Sequence, residues 1–119
     1  MAIEINIKTE EKIKVVELSG DIDASTAPDI QKQVIPLAET GSRILMDMTK
    51  VPYMSSAGLR MLLSLHRQTN AKEGRTVLVG LCEELQDTMS VTGFLDFLTT
   101  AETVDQGRKK LLEETNESK

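Results

Sequence analysis

The sequence predicts an α/β domain in which a mixed, mostly parallel β-sheet of four to five strands is covered by about four helices. Short runs of β-branched residues alternate along the chain with segments whose apolar residues recur every three or four positions. Strands joined by helices pair in parallel, whereas the first two strands are close enough in sequence to form a hairpin. The length of 119 residues suits a single domain. We assign residues 1–115 to this domain and residues 116–119 to a frayed C-terminal tail.

The chain opens with two predicted strands. Ile3, Ile5 and Ile7 alternate with polar residues, as in a strand with one buried face. Residues 13–18 follow a polar turn at residues 9–12 and carry apolar side chains on both faces, which is typical of an interior strand. The short turn predicts that these two strands form a hairpin.

A helix and a buried strand come next. Thr26 is placed to cap the helix, and Pro28 is tolerated in its first turn. Pro36 lacks a backbone donor, so we expect the helix to kink or stop there. Residues 44–48 form a nearly continuous apolar run and predict a third strand. The buried stripe of the helix is expected to consist of Ile30, Val34 and Leu37.

The strongest helix signal lies at residues 57–72, before a turn at residues 73–74. Its apolar stripe is predicted to comprise Leu59, Leu62, Leu63 and His66. We interpret His66 as a packed histidine rather than a catalytic base, because it lies on that stripe.

The remaining residues predict one strand and two helices. Residues 76–81 indicate a fourth strand, and residues 83–91 indicate a helix closed by Gly93. Thr100 is the expected cap of the last helix, and the basic residues 108–110 are interpreted as a solvated face near its C-terminus. The buried side of that helix carries Val104, Leu111 and Leu112.

Charge and composition argue against several functions. The net charge of −5 opposes binding to nucleic acid or to an anionic membrane surface. One cysteine, Cys82, and one histidine, His66, cannot form a disulfide or a four-ligand zinc site. The sequence shows neither a targeting segment nor an apolar run of membrane-spanning length. We therefore expect a cytoplasmic protein without a metal site and without membrane insertion.

The chain also lacks the usual motifs of an enzyme. Its seven glycines fit neither a dinucleotide-binding nor a phosphate-loop spacing. A serine nucleophile would have no evident base, and there is no G-x-S-x-G elbow. We expect no catalysis and no cofactor, and negligible binding of ATP or divalent metal by the chain itself.

The segment at residues 47–59 joins the third predicted strand to the strongest helix, and it contains two adjacent serines. Ser55 or Ser56 could serve simply as the helix N-cap. The same position could also accept a phosphate, because free N–H groups and the positive end of the helix dipole favour negative charge. The residues by themselves leave both interpretations open.

This segment, D-M-T-K-V-P-Y-M-S-S-A-G-L, resembles the pattern D-[LM]-[ST]-x-V-x-x-[MI]-[DS]-S-[SA]-G-L of STAS domains, specifically of bacterial anti-sigma-factor antagonists. Residues 18–23, L-S-G-D-I-D, are similar to the L-x-G-x-[IL]-D stretch of the same family. The resemblance covers essentially the whole chain and implies a single STAS-like domain. Positions that match within the first pattern are Asp47, Met48, Thr49, Val51, Met54, Ser56, Gly58 and Leu59.

The resemblance implies a switch between partners. The serine that matches Ser56 is phosphorylated by an anti-sigma factor that is a serine kinase of the histidine-kinase-like ATPase fold. A metal-dependent protein serine phosphatase reverses the modification, and only the unmodified antagonist binds the anti-sigma factor. The family frequently has Asp before the acceptor where this chain has Ser55, so Ser55 is the alternative acceptor.

The resemblance also implies a docking surface, on which Asp21 and Asp23 lie beside the phosphorylated turn. These two residues could equally be turn and capping residues. Arg60 could pair with a phosphate or remain a solvated arginine. We expect a bulky residue at Gly58 to impair binding more than folding, and we expect a monomer. The other residues assigned to partner binding are Met54, Ser55, Ala57 and Leu59.

Two other functions remain as alternatives. A STAS subunit that docks on a membrane transporter ATPase would use the same surface without a reversible phosphoserine. A small serine-dependent enzyme is disfavoured by the missing base. The sequence identifies neither the cognate kinase and phosphatase nor the upstream signal, and some switches of this family act on targets other than sigma factors.

Overall fold

The computed structural model describes residues 3–10, 12–94 and 98–117. Glu11 of the predicted turn and residues 118–119 of the predicted tail lie outside these ranges. Within them, five strands and four α-helices follow one another in the order β1 (Glu4–Glu10), β2 (Ile13–Ser19), α1 (Ala27–Val34), β3 (Arg43–Lys50), α2 (Ser56–Ala71), β4 (Arg75–Val79), α3 (Glu83–Thr92), β5 (Thr99–Ala101) and α4 (Val104–Glu117).

The strands form one sheet in the spatial order β1-β2-β3-β4-β5. β1 and β2 pair antiparallel as the predicted hairpin, and each later strand pairs parallel with the one before it. This arrangement confirms the predicted α/β class with a mixed, mostly parallel sheet. No helix in the described part of the chain is both long and apolar enough to cross a bilayer.

The helices cover the two faces of the sheet unequally. Leu78 of β4 belongs to the main core, together with buried side chains of α1, α2 and α3. Its neighbours Val77 and Val79 point to the opposite face, where they pack with Leu111 of α4. Successive side chains of a strand alternate between faces, so α4 lies on the face opposite to the other three helices.

The position of the last strand, β5, was not predicted from the sequence. Thr100 lies in β5 and is not a helix cap, whereas the hydroxyl of Thr103 accepts a hydrogen bond from the Gln106 N–H at 3.2 Å. A strand of three residues is too short to display an alternating pattern, and threonine suits both strands and caps. The cap of α4 is therefore Thr103, three residues after the predicted cap, and the helix begins at Val104.

The end of α1 agrees with the prediction from Pro36, whereas its start differs from the predicted side-chain cap at Thr26. The helix stops at Val34, and a single 3₁₀ turn, Ile35–Leu37, contains Pro36, as the missing backbone donor predicts. Thr26 occupies the N-cap position without capping through its side chain. Its hydroxyl instead donates to the Asp21 carbonyl and accepts the Asp23 N–H, each at 2.9 Å.

The buried face of α2 is rotated relative to the predicted stripe. Leu63 and His66 are half-buried. Thr69 faces the interior, where its hydroxyl lies 2.8 Å from that of Thr76 and 3.1 Å from the Leu65 carbonyl. A threonine that satisfies its hydroxyl in this way is invisible to a hydrophobic pattern. The fully buried residues of α2 are Gly58, Leu59, Met61, Leu62, Leu65 and Thr69.

The basic run at residues 108–110 lies in the first half of α4, so the predicted position near a helix C-terminus is wrong, whereas Lys109 and Lys110 are exposed, as predicted for a solvated face. Arg108 makes a two-pronged contact with Glu10, at 2.9 and 3.0 Å, and a further contact with Asp105 at 2.9 Å. Lys110 donates to the carbonyl of Thr100. These contacts connect α4 to the end of β1 and to β5.

Candidate functional site

Two loops at the carboxyl ends of β2 and β3 lie side by side. The Gly20 N–H donates to the Lys50 carbonyl at 3.0 Å, and the Ile22 N–H donates to the Tyr53 carbonyl at 3.0 Å. The Ser55 N–H completes the series by donating to the Ile22 carbonyl at 2.8 Å. These bonds continue the parallel pairing of the two strands into the loops. The structure thereby brings the residues around Asp21 and Asp23 next to the serine turn.

Apolar side chains anchor both loops in the core. Ile22 is fully buried, and Met54 is 5% exposed. Both residues belong to the main core cluster beneath the sheet face covered by α1, α2 and α3. Ile22 and Met54 therefore hold the backbone of the two loops in place, and their exposed neighbours Asp21 and Tyr53 project from this fixed backbone.

The two serines occupy different environments. Ser55 sits at the N-cap position of α2, but its hydroxyl does not cap the helix. The Oγ atom of Ser55 is buried and has no hydrogen-bond partner among the described residues. Ser56 is the first residue of α2 and is exposed. An enzyme that approaches the turn from solvent therefore meets the hydroxyl of Ser56 first.

The start of α2 is electropositive. The first intrahelical bond runs from the Leu59 N–H to the Ser55 carbonyl at 3.0 Å, so the N–H groups of Ser56, Ala57 and Gly58 precede the hydrogen-bond ladder. The first turn contains no acidic residue, and Arg60 is exposed one turn after Ser56. A phosphate on Ser56 would be accommodated here without disrupting the helix.

The two aspartates differ in their contacts. The Asp23 carboxylate accepts the Ser25 hydroxyl at 2.7 Å, the Ser25 N–H at 2.9 Å and the Thr26 N–H at 3.2 Å. These bonds, with the Ser25 hydroxyl first, hold the pKa of Asp23 below its ordinary value. Asp23 thus secures the turn that leads into α1. Asp21 is exposed, and its carboxylate takes part in no hydrogen bond among the described residues.

Three of the predicted partner-binding residues lie inside the protein. Met54 and Leu59 are 5% and 4% exposed, and Gly58 is also buried. A Cβ atom at Gly58 would lie 2.6 Å from Met54 Cγ and 2.7 Å from Ile22 Cγ2. Gly58 therefore has a packing role, which corrects the expectation that substitution there would affect binding more than folding. Met54, Gly58 and Leu59 therefore pack beneath the exposed residues of the serine turn and are not themselves exposed to a partner.

Tyr53 is a surface residue that was not among the predicted site residues. It is the only tyrosine of the chain, and it is 52% exposed beside the serine turn. A single large aromatic placed in a loop of a chain with so few aromatics was a signal available in the sequence. Exposed tyrosines are over-represented among the residues that dominate protein interfaces.

A groove runs between α1 and α2 next to Ser56. It has a volume of about 270 Å³ and is lined by small and apolar side chains together with Gln31 and Arg60. We use the name serine-turn surface for the surface formed by Asp21, Tyr53, Ser56, Ala57 and Arg60. Among the described residues, no group of three His, Cys, Asp or Glu side chains could hold a metal ion.

Comparison with known proteins gives consistent results. The sequence model of the STAS domain matches residues 4–107. The anti-sigma-B factor antagonist of Bacillus subtilis (strain 168) is 30% identical over 98 residues, which cover 82% of this chain and 90% of that protein.

Two solved structures show the same fold. An anti-sigma factor antagonist from Mycobacterium paratuberculosis superimposes with a TM-score of 0.81 at 21% identity, covering 92% of this chain and 93% of the other. The Bacillus cell fate determinant SpoIIAA, in its phosphorylated form, superimposes with a TM-score of 0.68 at 18% identity, covering 90% of this chain and 98% of the other. At these identities the similarity concerns the fold alone.

Proposed function

This chain belongs to the STAS domain family, and from that premise we propose that it is an anti-sigma-factor antagonist switched by phosphorylation of Ser56. The unmodified protein binds a serine-kinase anti-sigma factor of the histidine-kinase-like ATPase fold, and phosphorylation releases that partner. A metal-dependent protein serine phosphatase restores the binding form. ATP and metal would be bound by these partners and not by this chain. We propose that the protein acts in the cytoplasm, where ATP is available to such a kinase. We further propose that it acts as a monomer.

The observation that carries this proposal is the contrast between the two serines. Ser56 is exposed at the start of α2, whereas the Ser55 hydroxyl is buried. A kinase active site must reach the oxygen that it phosphorylates, so this contrast favours Ser56 as the acceptor. The free N–H groups of the first turn and the exposed Arg60 provide favourable surroundings for the dianion.

Charge provides the means of release. A phosphoserine carries about −1.5 to −2 charges at neutral pH. On Ser56 it would stand beside the exposed Asp21, on the loop that is hydrogen-bonded to the serine turn. Moving a complex from almost fully bound to almost fully free takes about 5.5 kcal/mol of differential affinity. An exposed charge supplies about 1 kcal/mol or less, so the phosphate must be buried beneath the partner to act as a switch.

The serine-turn surface supplies an anchor for the partner. Tyr53 offers a large amphipathic side chain, and the adjacent groove between α1 and α2 offers an apolar depression. A rigid aromatic next to a groove is a common arrangement of an interface centre. We assign Tyr53 to partner binding together with Asp21, Ser56, Ala57 and Arg60.

Site-specific phosphorylation tests the proposal. The protein is incubated with ATP and an extract of its own cells, and the phosphate is located by mass spectrometry. Wild type and Ser55→Ala should incorporate phosphate at residue 56, whereas Ser56→Ala should incorporate none. Modification at Ser55, or no modification of the wild type while other proteins of the extract are phosphorylated, would contradict the assignment.

Binding to the isolated kinase-type anti-sigma factor tests the switch. Ser56→Ala should retain the affinity of the unmodified protein, and Ser56→Asp should weaken binding only partly, because one carboxylate carries less charge than a phosphate. Tyr53→Ala should weaken binding by about tenfold or more. Val91→Ala provides a matched control, because Val91 is 87% exposed on α3 outside the serine-turn surface. Equal affinities of the phosphorylated and unmodified proteins would eliminate the switch.

A further inference from the structure

The connections that follow the neighbouring strands β4 and β5 lead to opposite faces of the sheet. From β4 the chain turns to α3, which packs on the face of the main core, and from β5 it turns to α4 on the opposite face. Connections that diverge from adjacent parallel strands leave a crevice at the carboxyl ends of those strands. Open α/β sheets bind their ligands in crevices of this kind.

A cavity of about 490 Å³ occupies this position. Leu81 and Gln86 line it on the α3 side, and Thr100 and Ala101 of β5, with Glu102 directly after that strand, also line it. The Gln86 side-chain amide donates to the Leu81 carbonyl at 2.9 Å, which fixes the α3 side of the cavity. The volume falls within the range of small-molecule sites, which is roughly 300 to 1,000 Å³.

The wall contributed by α4 is rich in hydrogen-bond donors. Gln106, Lys109 and Lys110 line the cavity, and their spacing of i, i+3 and i+4 places them on one face of the helix. The Lys110 ammonium donates to the Thr100 carbonyl, which holds it at the crevice with further protons to offer. The Gln106 carbonyl oxygen accepts the Glu102 N–H at 3.1 Å, so its NH₂ group is left as the donor.

The charges around the cavity select the ligand class. Among the described residues that line it, Lys109 and Lys110 carry ammonium groups and Glu102 carries a carboxylate, so these residues contribute a net positive charge in a protein whose overall charge is −5. We propose that this crevice, which we call the α3/α4 crevice, binds a small polyanion bearing phosphate or carboxylate groups. Such a site is distinct from the serine-turn surface of the proposed partner switch, because none of the described residues that line the crevice belongs to that surface.

Titration of the isotope-labelled protein by NMR tests the inference. Pyrophosphate and citrate are added separately while sodium chloride keeps the ionic strength constant. We expect saturable shifts of the backbone amides of Thr100, Glu102 and Gln106, with dissociation constants in the millimolar range or below. Saturation by both anions supports the shared polyanion chemistry, and saturation by pyrophosphate alone narrows the class to phosphates. Shifts that increase linearly, or that sodium chloride alone reproduces, would overturn the proposal.

Three variants separate a built site from diffuse charge attraction. Lys109→Gln should weaken binding by roughly tenfold, whereas Lys72→Gln, an equal change of net charge at the carboxyl end of α2, should leave it unchanged. Glu102→Gln should strengthen binding, because it removes a carboxylate from the lining of the cavity. Equal effects of the two lysine variants would show that net charge alone attracts the anion. Phosphorylation of Ser56 is measured on the same proteins and should not change.

Discussion

Substitution of Gly58 by alanine is expected to destabilise the protein at the base of the serine-turn surface. The added Cβ would lie 2.6 Å from Met54 Cγ and 2.7 Å from Ile22 Cγ2, with the Ile22 carbonyl oxygen at 3.2 Å. Carbon atoms in contact prefer about 3.5 to 4.0 Å, so the neighbours must yield by roughly 1 Å. The Met54 side chain can rotate, but the Ile22 backbone is held by hydrogen bonds to Tyr53 and Ser55.

Two opposing effects determine the magnitude. Alanine is favoured over glycine inside a helix by about 1 kcal/mol, whereas overpacking of a tight core costs about 1 to 3 kcal/mol. Because Ile22 cannot move without loosening the loop pairing, we expect the cost of overpacking to lie in the upper part of that range, about 2 to 3 kcal/mol, and the free energy of unfolding to fall by about 1 to 2 kcal/mol. Valine at the same position should cost more, because its branches meet the same atoms.

Urea unfolding followed by circular dichroism provides the measurement, with stability taken from the midpoint at an unchanged slope. Ser56→Ala is the matched control, because it changes an exposed neighbour by a similar volume and should alter stability by about 0.5 kcal/mol or less. If Gly58→Ala were as stable as the wild type or more so, the close packing of α2 against Ile22 would be refuted.

Three further predictions concern the core and the pH dependence of stability. Leu111→Ala should cost about 2 to 5 kcal/mol in urea unfolding, because Leu111 is fully buried, whereas the 44% exposed Leu112 should tolerate the change. Asp23→Asn should destabilise the protein at neutral pH, and the difference should vanish as the pH falls below 3.8, the ordinary pKa that hydrogen bonding lowers. Burial, and then the charge of Arg75, lowers the pKa of His66, so stability should fall as the pH drops below 6.5, and His66→Gln should abolish that fall.

The parts of the fold that were predictable share a strong local pattern. The alternation at Ile3, Ile5 and Ile7 and the apolar run at residues 44–48 correspond to β1 and β3. The short β5 and the rotation of α2 were not predictable in the same way. The three residues of β5 form a strand because they pair with β4, and so short a segment shows no pattern of its own. The inward orientation of Thr69 depends on the hydrogen bond between its hydroxyl and that of Thr76.

The site shows the same division between local and tertiary information. Its position after β3, at the start of the strongest helix, followed from the sequence, as did the two adjacent serines. The difference in exposure between Ser55 and Ser56 depends on how the turn is hydrogen-bonded to Ile22, which no sequence pattern specifies. The burial of Gly58 has a similar origin, because it results from contact with a loop more than thirty residues away in sequence.

The replacement of the family's frequent aspartate by Ser55 bears on how the proposed switch operates. An acidic residue at that position would offset the positive end of α2, but here the first turn carries no carboxylate, and the Ser55 hydroxyl is turned inward. In the proposed phosphorylated state, the phosphate would be the first negative charge at this helix end, which stabilises a helix rather than melting it. Ile22 and Met54 would still anchor the loops in the core. Release of the partner then follows from altered charge on an intact surface, and not from local unfolding of the antagonist.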